Sequence, residues 1–121
     1  MSKTILTADD SKVIRMMLKN ALKPLDYNVV EATNGSEALE ATKNHNPDLI
    51  ILDITMPDMN GLDVLNELRN ERDSESTPVV MLTAESDAES IDRAKSLNVS
   101  GYIPKPFKME KVTSTVSEII G

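Results

Sequence analysis

The amino-acid sequence predicts an α/β fold in which a mostly parallel sheet of five strands is covered by helices on both faces. Short β-prone runs alternate five times with stretches whose apolar residues recur at helical spacing. The connections between successive strands are long enough to contain a helix, as crossovers between parallel strands require. One run, Leu49–Leu52, is apolar without interruption, which is typical of a strand buried on both faces. We expect one domain over residues 1–121.

The first half of the chain supplies two strand and helix pairs. Thr4–Ala8 is a β-prone run that ends at an acidic pair, and a helix is predicted over Ser11–Leu25. The residues at helical spacing in it are Val13, Ile14, Met17, Leu18, Ala21 and Leu22. Tyr27–Ala32 is predicted as the second strand, Asn34-Gly35 as a turn and Ser36–Asn44 as the second helix.

The third strand, Leu49–Leu52, ends at the carboxylate of Asp53. A turn is predicted after it, because Pro57 restricts its own φ and the conformation of the residue before it, while Gly61 can adopt a positive φ. A helix is then predicted from Leu62 to about Asn70, because apolar residues recur there at helical spacing.

The last strands and helices follow the same alternation. Pro78–Thr83 is predicted as the fourth strand and Ala88–Leu97 as a helix, followed by a strand over Ser100–Pro104 and a helix from about Met109 to Ile120. Pro104 cannot donate to a sheet ladder, so the fifth strand is expected at an edge. The flavodoxin-like (βα)5 doubly wound sheet, with strand order 2-1-3-4-5, places it there and is our fold prediction.

Composition restricts the function classes. The chain has no cysteine, which excludes a disulfide framework, a thiolate nucleophile and a cysteine-ligated metal. A formal net charge of −7 with two Tyr, one Phe and no Trp argues against direct nucleic-acid binding. No apolar run approaches the ~20 residues of a membrane span and no signal pattern begins the chain, so we expect a cytoplasmic monomer with protein partners. The core, rather than a cofactor site, is expected to hold Met16, Met17 and Met81.

Charged and hydroxyl side chains occur where the predicted strands end. Asp9 and Asp10 follow the first strand, Asp53 the third and Lys105 the fifth, and Thr83 ends the fourth. Open α/β sheets hold their sites beyond the carboxyl ends of the strands, where the strand order reverses, here between the first and third strands. These side chains are therefore expected to converge at one edge of the sheet.

Charge repulsion indicates what such a site would hold. Two carboxylates about 4 Å apart repel by roughly 4 kcal/mol at an effective dielectric near 20, so three of them need a cation or a proton. Lys105 supplies one positive charge, and Mg²⁺, which prefers oxygen ligands, would supply two more. Helix caps, a strand end and a solvated lysine are the structural alternatives for the separate residues. Taken together, they favour Asp53 as a nucleophile toward a phosphoryl group.

At this point the sequence resembles the receiver domain of bacterial two-component response regulators, of the single-domain, CheY-like type. The likeness covers essentially the whole chain and rests on Asp9-Asp10, Asp53, Met56–Gly61, Thr83-Ala84 and Lys105-Pro106-Phe107. It implies a stand-alone regulator in which Asp53 is phosphorylated by a partner histidine kinase or a small phosphodonor. Self-phosphorylation and self-dephosphorylation would be its activities, without turnover of a separate substrate.

The resemblance also implies a metal site. Asp10 and Asp53 would ligate Mg²⁺, or Mn²⁺, directly, Asp9 through water and Thr55 through its backbone carbonyl. Thr55 also occupies, with Glu85, a position that tunes phosphate lifetime in the family.

A switch is implied as well. Thr83 would donate to one phosphoryl oxygen and Lys105 would pair with another, and the Lys105–Pro106 peptide bond would be cis. Tyr102 would turn when Thr83 moves and would reshape the face formed by the fourth helix, fifth strand and fifth helix. That face would bind an output partner, with chemotaxis as the process suggested by analogy.

Three alternatives stay open. A phosphorelay intermediate would pass the phosphoryl group to a histidine phosphotransfer protein, and the residues do not separate it from a terminal switch. An aspartate-nucleophile phosphatase or hydrolase typically has a second Asp two residues after the first, where this chain has Thr55. A flavodoxin needs a phosphate-binding loop rich in Ser, Thr and Gly after the first strand, where this chain has Asp9-Asp10.

Overall fold

A computed structural model describes residues 3–83 and 88–121, and this part of the chain forms a five-stranded parallel sheet in the order β2-β1-β3-β4-β5. Its strands are β1 Thr4–Ala8, β2 Asn28–Ala32, β3 Leu49–Asp53, β4 Val79–Thr83 and β5 Gly101–Pro104. The helices between and after them are α1 Lys12–Leu22, α2 Gly35–His45, α3 Gly61–Asn70, α4 Ala88–Ser96 and α5 Met109–Ile120. The predicted fold and strand order are confirmed. Ala84 and Glu85, which the sequence analysis singled out, lie outside the described residues.

The core consists of two layers, one on each face of the sheet. Side chains of α2, α3 and α4 pack on one face, and side chains of α1 and α5 pack on the other. Every residue of β3 and β4 is buried, as an uninterrupted apolar run predicts for strands covered on both faces. β5 is an edge strand and ends in Pro104, where the missing N–H costs no ladder bond on the open side.

Two predicted boundaries were wrong for local reasons. α1 ends at Leu22, and Lys23–Leu25 forms a 3₁₀ turn, because Pro24 cannot continue the α-helical hydrogen bonds. Asn34 and Gly35 do not form a turn. Asn34 is instead the N-cap of α2, and its side-chain oxygen accepts a hydrogen bond from the Glu37 N–H at 2.8 Å.

The exposed side of α1 corrects two further expectations. Val13 was assigned to the helix pattern and Met16 to the core, yet they are 65% and 53% exposed. At about 100° per residue, both lie more than about 130° around the helix from Leu18, which is fully buried. Ile14 and Leu18 belong to the inward stripe, and Met17 flanks it at intermediate exposure.

Arg69, in the last turn of α3, joins two connections at the amino edge of the sheet. Its Nε donates to the Leu97 carbonyl at 2.8 Å and its Nη2 to the Asn98 carbonyl at 3.2 Å, both just beyond α4. Its Nη1 donates to the carbonyls of Ser74 and Thr77 at 3.1 and 2.9 Å, in the segment before β4. Burial lowers the pKa of Arg69 from its usual value. One guanidinium therefore satisfies four main-chain acceptors from two separate connections.

Candidate functional site

The strand register brings the predicted site residues to the carboxyl edge of the sheet. Ala8 of β1 pairs with Leu52 of β3, so Asp9 is level with Asp53, the last residue of β3. Thr83 pairs with Pro104 at the ends of β4 and β5, and the main-chain N–H of Lys105 donates to the Thr83 carbonyl at 2.6 Å. The register of the parallel strands therefore places these side chains together at the carboxyl edge of the sheet.

Three carboxylates form a cluster at this edge. Asp9, Asp10 and Asp53 each offer an oxygen within 4.8 Å of the others. Asp9 is 0% and Asp53 4% exposed, whereas Asp10 is open to solvent. The cluster is thus buried on the protein side and accessible from outside through Asp10.

Lys105 lies between the two buried carboxylates. Its Nζ is 3.0 Å from Asp9 Oδ2 and 3.2 Å from Asp53 Oδ2. Burial alone would lower the pKa of Lys105, but its contacts with Asp9 and Asp53 outweigh this effect and raise it. The lysine therefore stays charged and supplies the positive charge that these carboxylates contact.

Asp53 nevertheless remains electrostatically strained. Burial and the neighbouring charge of Asp9 raise its pKa from 3.8 to about 6, against the opposing effects of Lys105 and the Thr55 N–H. When all four side chains are ionised, three carboxylates and one ammonium leave an excess of two negative charges. The site therefore favours an added positive charge.

The donor atoms fit a hard divalent cation. Asp9 Oδ1 accepts the Ser11 N–H at 2.8 Å, but Asp9 Oδ2 has an ion pair with Lys105 and no hydrogen-bond donor among the described residues. One ammonium shared by two buried carboxylates leaves part of their charge uncompensated, and such charge is costly to bury unless a further ion or water meets it. Clustered carboxylate oxygens, one of them open to solvent, are the ligands that Mg²⁺ takes together with water.

The loop after β3 brings Thr55 beside Asp53. The Thr55 N–H donates to Asp53 Oδ1 at 3.3 Å, and the Gly61 N–H closes the base of the loop on the Ile54 carbonyl at 2.7 Å. Glycine at position 61 is required by this close approach, because a Cβ there would lie 2.1 Å from the Asp53 carbonyl oxygen. Gly61 does not use the positive φ that glycine permits; among the described glycines only Gly121 has one.

Thr83 and Tyr102 lie on neighbouring strands. Thr83 is 2% exposed at the end of β4, and Tyr102 on β5 is half-buried. The Tyr102 hydroxyl donates to the Ile91 carbonyl of α4 at 3.2 Å, which joins β5 to α4. The Lys105–Pro106 peptide bond is cis, as the resemblance implies. The switching roles of Thr83 and Tyr102 stay predictions.

Sequence reasoning missed two residues next to the site. Arg15 donates from Nη1 to the Asp9 carbonyl at 2.6 Å and pairs with Glu31 at 3.0 Å. Asp58 accepts three hydrogen bonds from the first residues of α2. The main-chain N–H groups of Ser36 and Gly35 lower its pKa to about 2. An acid after Pro57 is an ordinary turn residue, so its long-range contact left no sequence signal.

No helix among the described residues is long and apolar enough to cross a membrane.

Comparison with known proteins identifies relatives over nearly the whole chain. A family model described as the response regulator receiver domain matches residues 5–117. A chemotaxis protein CheY homolog of Campylobacter jejuni is 34% identical over 119 residues, which cover 97% of this chain and 92% of that protein. TcrX of Mycobacterium tuberculosis, a probable transcriptional regulatory protein, is 40% identical over 111 residues, which cover 90% of this chain and 46% of TcrX. The chain spans about half the length of the transcriptional regulators it matches.

Solved structures of response regulators have the same fold as this chain. The chemotaxis response regulator CheY4 of Vibrio cholerae has a TM-score of 0.93 and 32% identity, over 99% of this chain and 100% of that chain. A CheY-like receiver domain protein of Methanospirillum hungatei has a TM-score of 0.90 and 26% identity, over 98% of this chain and 93% of that chain.

Proposed function

Because the chain belongs to the response regulator receiver domains, we propose that it acts in two-component signalling as a phosphoacceptor. In this proposal Asp53 takes a phosphoryl group from a histidine kinase in a Mg²⁺-dependent reaction. The observation that carries it is the contact of one ammonium, Lys105, with both buried carboxylates at the edge where the strands end. A helix cap or a solvated lysine does not account for that arrangement.

The proposed metal ligands come from this chain's own oxygens. Asp10 and Asp53 would bind Mg²⁺, or Mn²⁺, directly, Asp9 through water and Thr55 through its backbone carbonyl. Receiver domains generally bind Mg²⁺ at such an acidic cluster, and the cluster of Asp9, Asp10 and Asp53 supports the assignment. When bound, the ion would offset the charge of the carboxylates and of the incoming phosphoryl oxygens.

Asp53 is the nucleophile in the proposed transfer. With a pKa of about 6 it is mostly ionised at neutral pH, and Lys105 holds its Oδ2 side. A carboxylate oxygen forms a bond to phosphorus while the phosphorus–nitrogen bond of the phosphohistidine breaks, and the electron pair returns to the imidazole nitrogen. Lys105 would then pair with a phosphoryl oxygen, and the Thr83 hydroxyl would donate to another.

The output proposed is a change in protein contacts of the face formed by α4, β5 and α5. The hydrogen bond between Tyr102 and the Ile91 carbonyl joins β5 to α4, and Thr83 pairs with Pro104 two residues further along β5, so a displacement of Thr83 would be passed through β5 to that face. A coupling of about 1–3 kcal/mol is typical for such a two-state element. The CheY homolog of C. jejuni, matched over 92% of its length, suggests chemotaxis as the process.

Phosphorylation is tested by incubating the purified chain with acetyl phosphate and Mg²⁺. We expect the mass of one phosphoryl group to be added in Mg²⁺ buffer and not in EDTA, and to be released by hydroxylamine, which cleaves acyl phosphates. Asp53→Asn should remain unmodified, while the exposed Asp63→Asn should behave as wild type. An unmodified wild-type chain, or equal labelling of Asp53→Asn, contradicts the proposal.

The signalling half is tested by partner capture with and without beryllofluoride, a phosphoryl mimic. Wild type should gain a partner under the mimic and Asp53→Asn should not. Identical capture by both proteins would contradict control by phosphorylation.

A further inference from the structure

We propose that Asp58 is a positioning residue that anchors the loop after β3 to α2 and thereby holds the Thr55 backbone at the acidic site. The loop in question is residues 54–60. This inference rests on the proposed function, because it concerns the Mg²⁺ site to which Thr55 would contribute its carbonyl.

The amino end of α2 is completed by a carboxylate from another part of the chain. Asp58 Oδ1 accepts the Gly35 N–H at 2.7 Å, and Oδ2 accepts the N–H and hydroxyl of Ser36 at 3.0 and 2.8 Å. The next N–H, of Glu37, is bonded to the side chain of Asn34. The first N–H groups of a helix have no partner inside it, so Asp58 satisfies two that α2 cannot satisfy itself.

Loop 54–60 is consequently fastened at both ends. At its base the Gly61 N–H bonds the Ile54 carbonyl at 2.7 Å. At its tip Asp58 binds α2, and the adjacent Met59 packs so close to Gly35 that a Cβ there would be 3.0 Å from the Met59 Cβ. Thr55 lies between these attachments, with its N–H on Asp53 Oδ1. Releasing the tip would leave the loop backbone that carries Thr55 held only at its base.

The Asp58 carboxylate keeps its charge under ordinary assay conditions. The amides of Ser36 and Gly35 lower the pKa of Asp58 to about 2, so its carboxylate stays ionised throughout the pH range in which such a protein is assayed. Groups that orient metal ligands from outside typically change metal affinity by about 10–100-fold when removed. For Asp58 we expect a change near the lower limit of this range, because Asp58 acts on the metal ligand through the loop backbone and not by direct contact.

The chain offers a matched control in Glu37. Its Oε1 accepts the N–H and the hydroxyl of Thr33, both at 2.8 Å, so it stabilises the start of α2 from the β2 side. It makes no hydrogen bond or ion pair with loop 54–60 among the described contacts. Glu37→Ala therefore removes both hydrogen bonds at the same helix end without releasing the loop, whereas Gln could keep them through its amide oxygen.

The test compares wild type, Asp58→Asn, Asp58→Ala and Glu37→Ala by two measurements. Calorimetry gives Mg²⁺ affinity, and NMR gives amide hydrogen exchange of Thr55 in Mg²⁺-free protein. We expect the Asp58 variants to bind Mg²⁺ about tenfold more weakly and to exchange the Thr55 amide faster. Glu37→Ala should match wild type in both.

Equal Mg²⁺ affinity in wild type and both Asp58 variants would overturn the inference while leaving the proposed function intact. An equal loss of Mg²⁺ affinity in Asp58→Ala and Glu37→Ala would mean that Asp58 only stabilises the helix end, and it would also overturn the inference. Absence of Mg²⁺ binding in wild type would instead remove the proposed metal site and this inference with it.

Discussion

Replacing Asp53 by Asn should stabilise the metal-free protein, although it removes one side of an ion pair. Asp53 is 4% exposed, and burial and Asp9 raise its pKa from 3.8 to about 6 even with Lys105 in contact. One pKa unit corresponds to about 1.4 kcal/mol, so ionised Asp53 costs the fold up to about 3 kcal/mol at neutral pH. Asn has nearly the same shape and no charge. We expect Asp53→Asn to raise the free energy of unfolding by about 1–3 kcal/mol.

The pH dependence of this gain has a defined sign. Because folding raises the pKa of Asp53, its contribution to stability is fully present below 3.8 and is lost as the pH rises through about 6. The advantage of Asp53→Asn should therefore be small near pH 4, about half of its maximum near pH 5, and constant above about pH 7.

Urea unfolding followed by circular dichroism, in EDTA and at several pH values, measures the effect. Asp58→Asn is the control, because hydrogen bonds from Ser36 and Gly35 lower the pKa of Asp58 to about 2 and its substitution should destabilise at neutral pH. The reasoning is refuted if Asp53→Asn destabilises at pH 7 in EDTA, or if its effect is the same at pH 4 and pH 7.

Three further substitutions test other contacts, each by urea unfolding. Lys105→Met should destabilise by about 2 kcal/mol at neutral pH, because two buried carboxylates lose their cation; the exposed Lys111→Met should not, and equal effects would contradict this. Gly61→Ala should lower the free energy of unfolding by about 3 kcal/mol or more, since its Cβ would lie 2.1 Å from a backbone oxygen. The control Gly101→Ala, whose Cβ would lie 3.6 Å from its nearest neighbour, should be tolerated, and an unchanged stability of Gly61→Ala would disprove the clash. Tyr102→Phe should lose about 1 kcal/mol with its bond to α4; no change would mean that the hydroxyl contributes nothing.

The location of the site could be predicted from the sequence because the strand topology largely determines it. Asp9, Asp53 and Lys105 are far apart in the chain, but each lies at the end of a strand or directly after it, and parallel strands end at the same edge. Local patterns therefore sufficed to place them together once the strand order was chosen. Their distances, and the strain on Asp53, follow from packing that no local pattern contains.

Three of the misses, at Val13, Gly61 and Asp58, share one physical cause, which is contact between distant segments. Val13 fits a helical period, but which side of α1 faces the sheet is decided by the stripe around Leu18. Gly61 was assigned to a turn for its conformational freedom, whereas the structure needs its missing side chain beside the Asp53 carbonyl. Asp58 resembles an ordinary turn residue until the amino end of α2 is placed next to it.

The contacts of Arg69 at the amino edge of the sheet differ from those of the carboxylates at the carboxyl edge in how they respond to acid. All four of its acceptors are uncharged carbonyls, and no carboxylate pairs with it in the part of the chain that the structure describes. Acidification toward pH 5 protonates Asp53 at the opposite rim, whereas the four carbonyls bonded to Arg69 do not take up a proton in that range. The hydrogen bonds that hold the carboxyl end of α4 therefore persist while the acidic rim changes its charge. A change of charge at one end of the strands thus occurs in a sheet whose other end keeps its contacts.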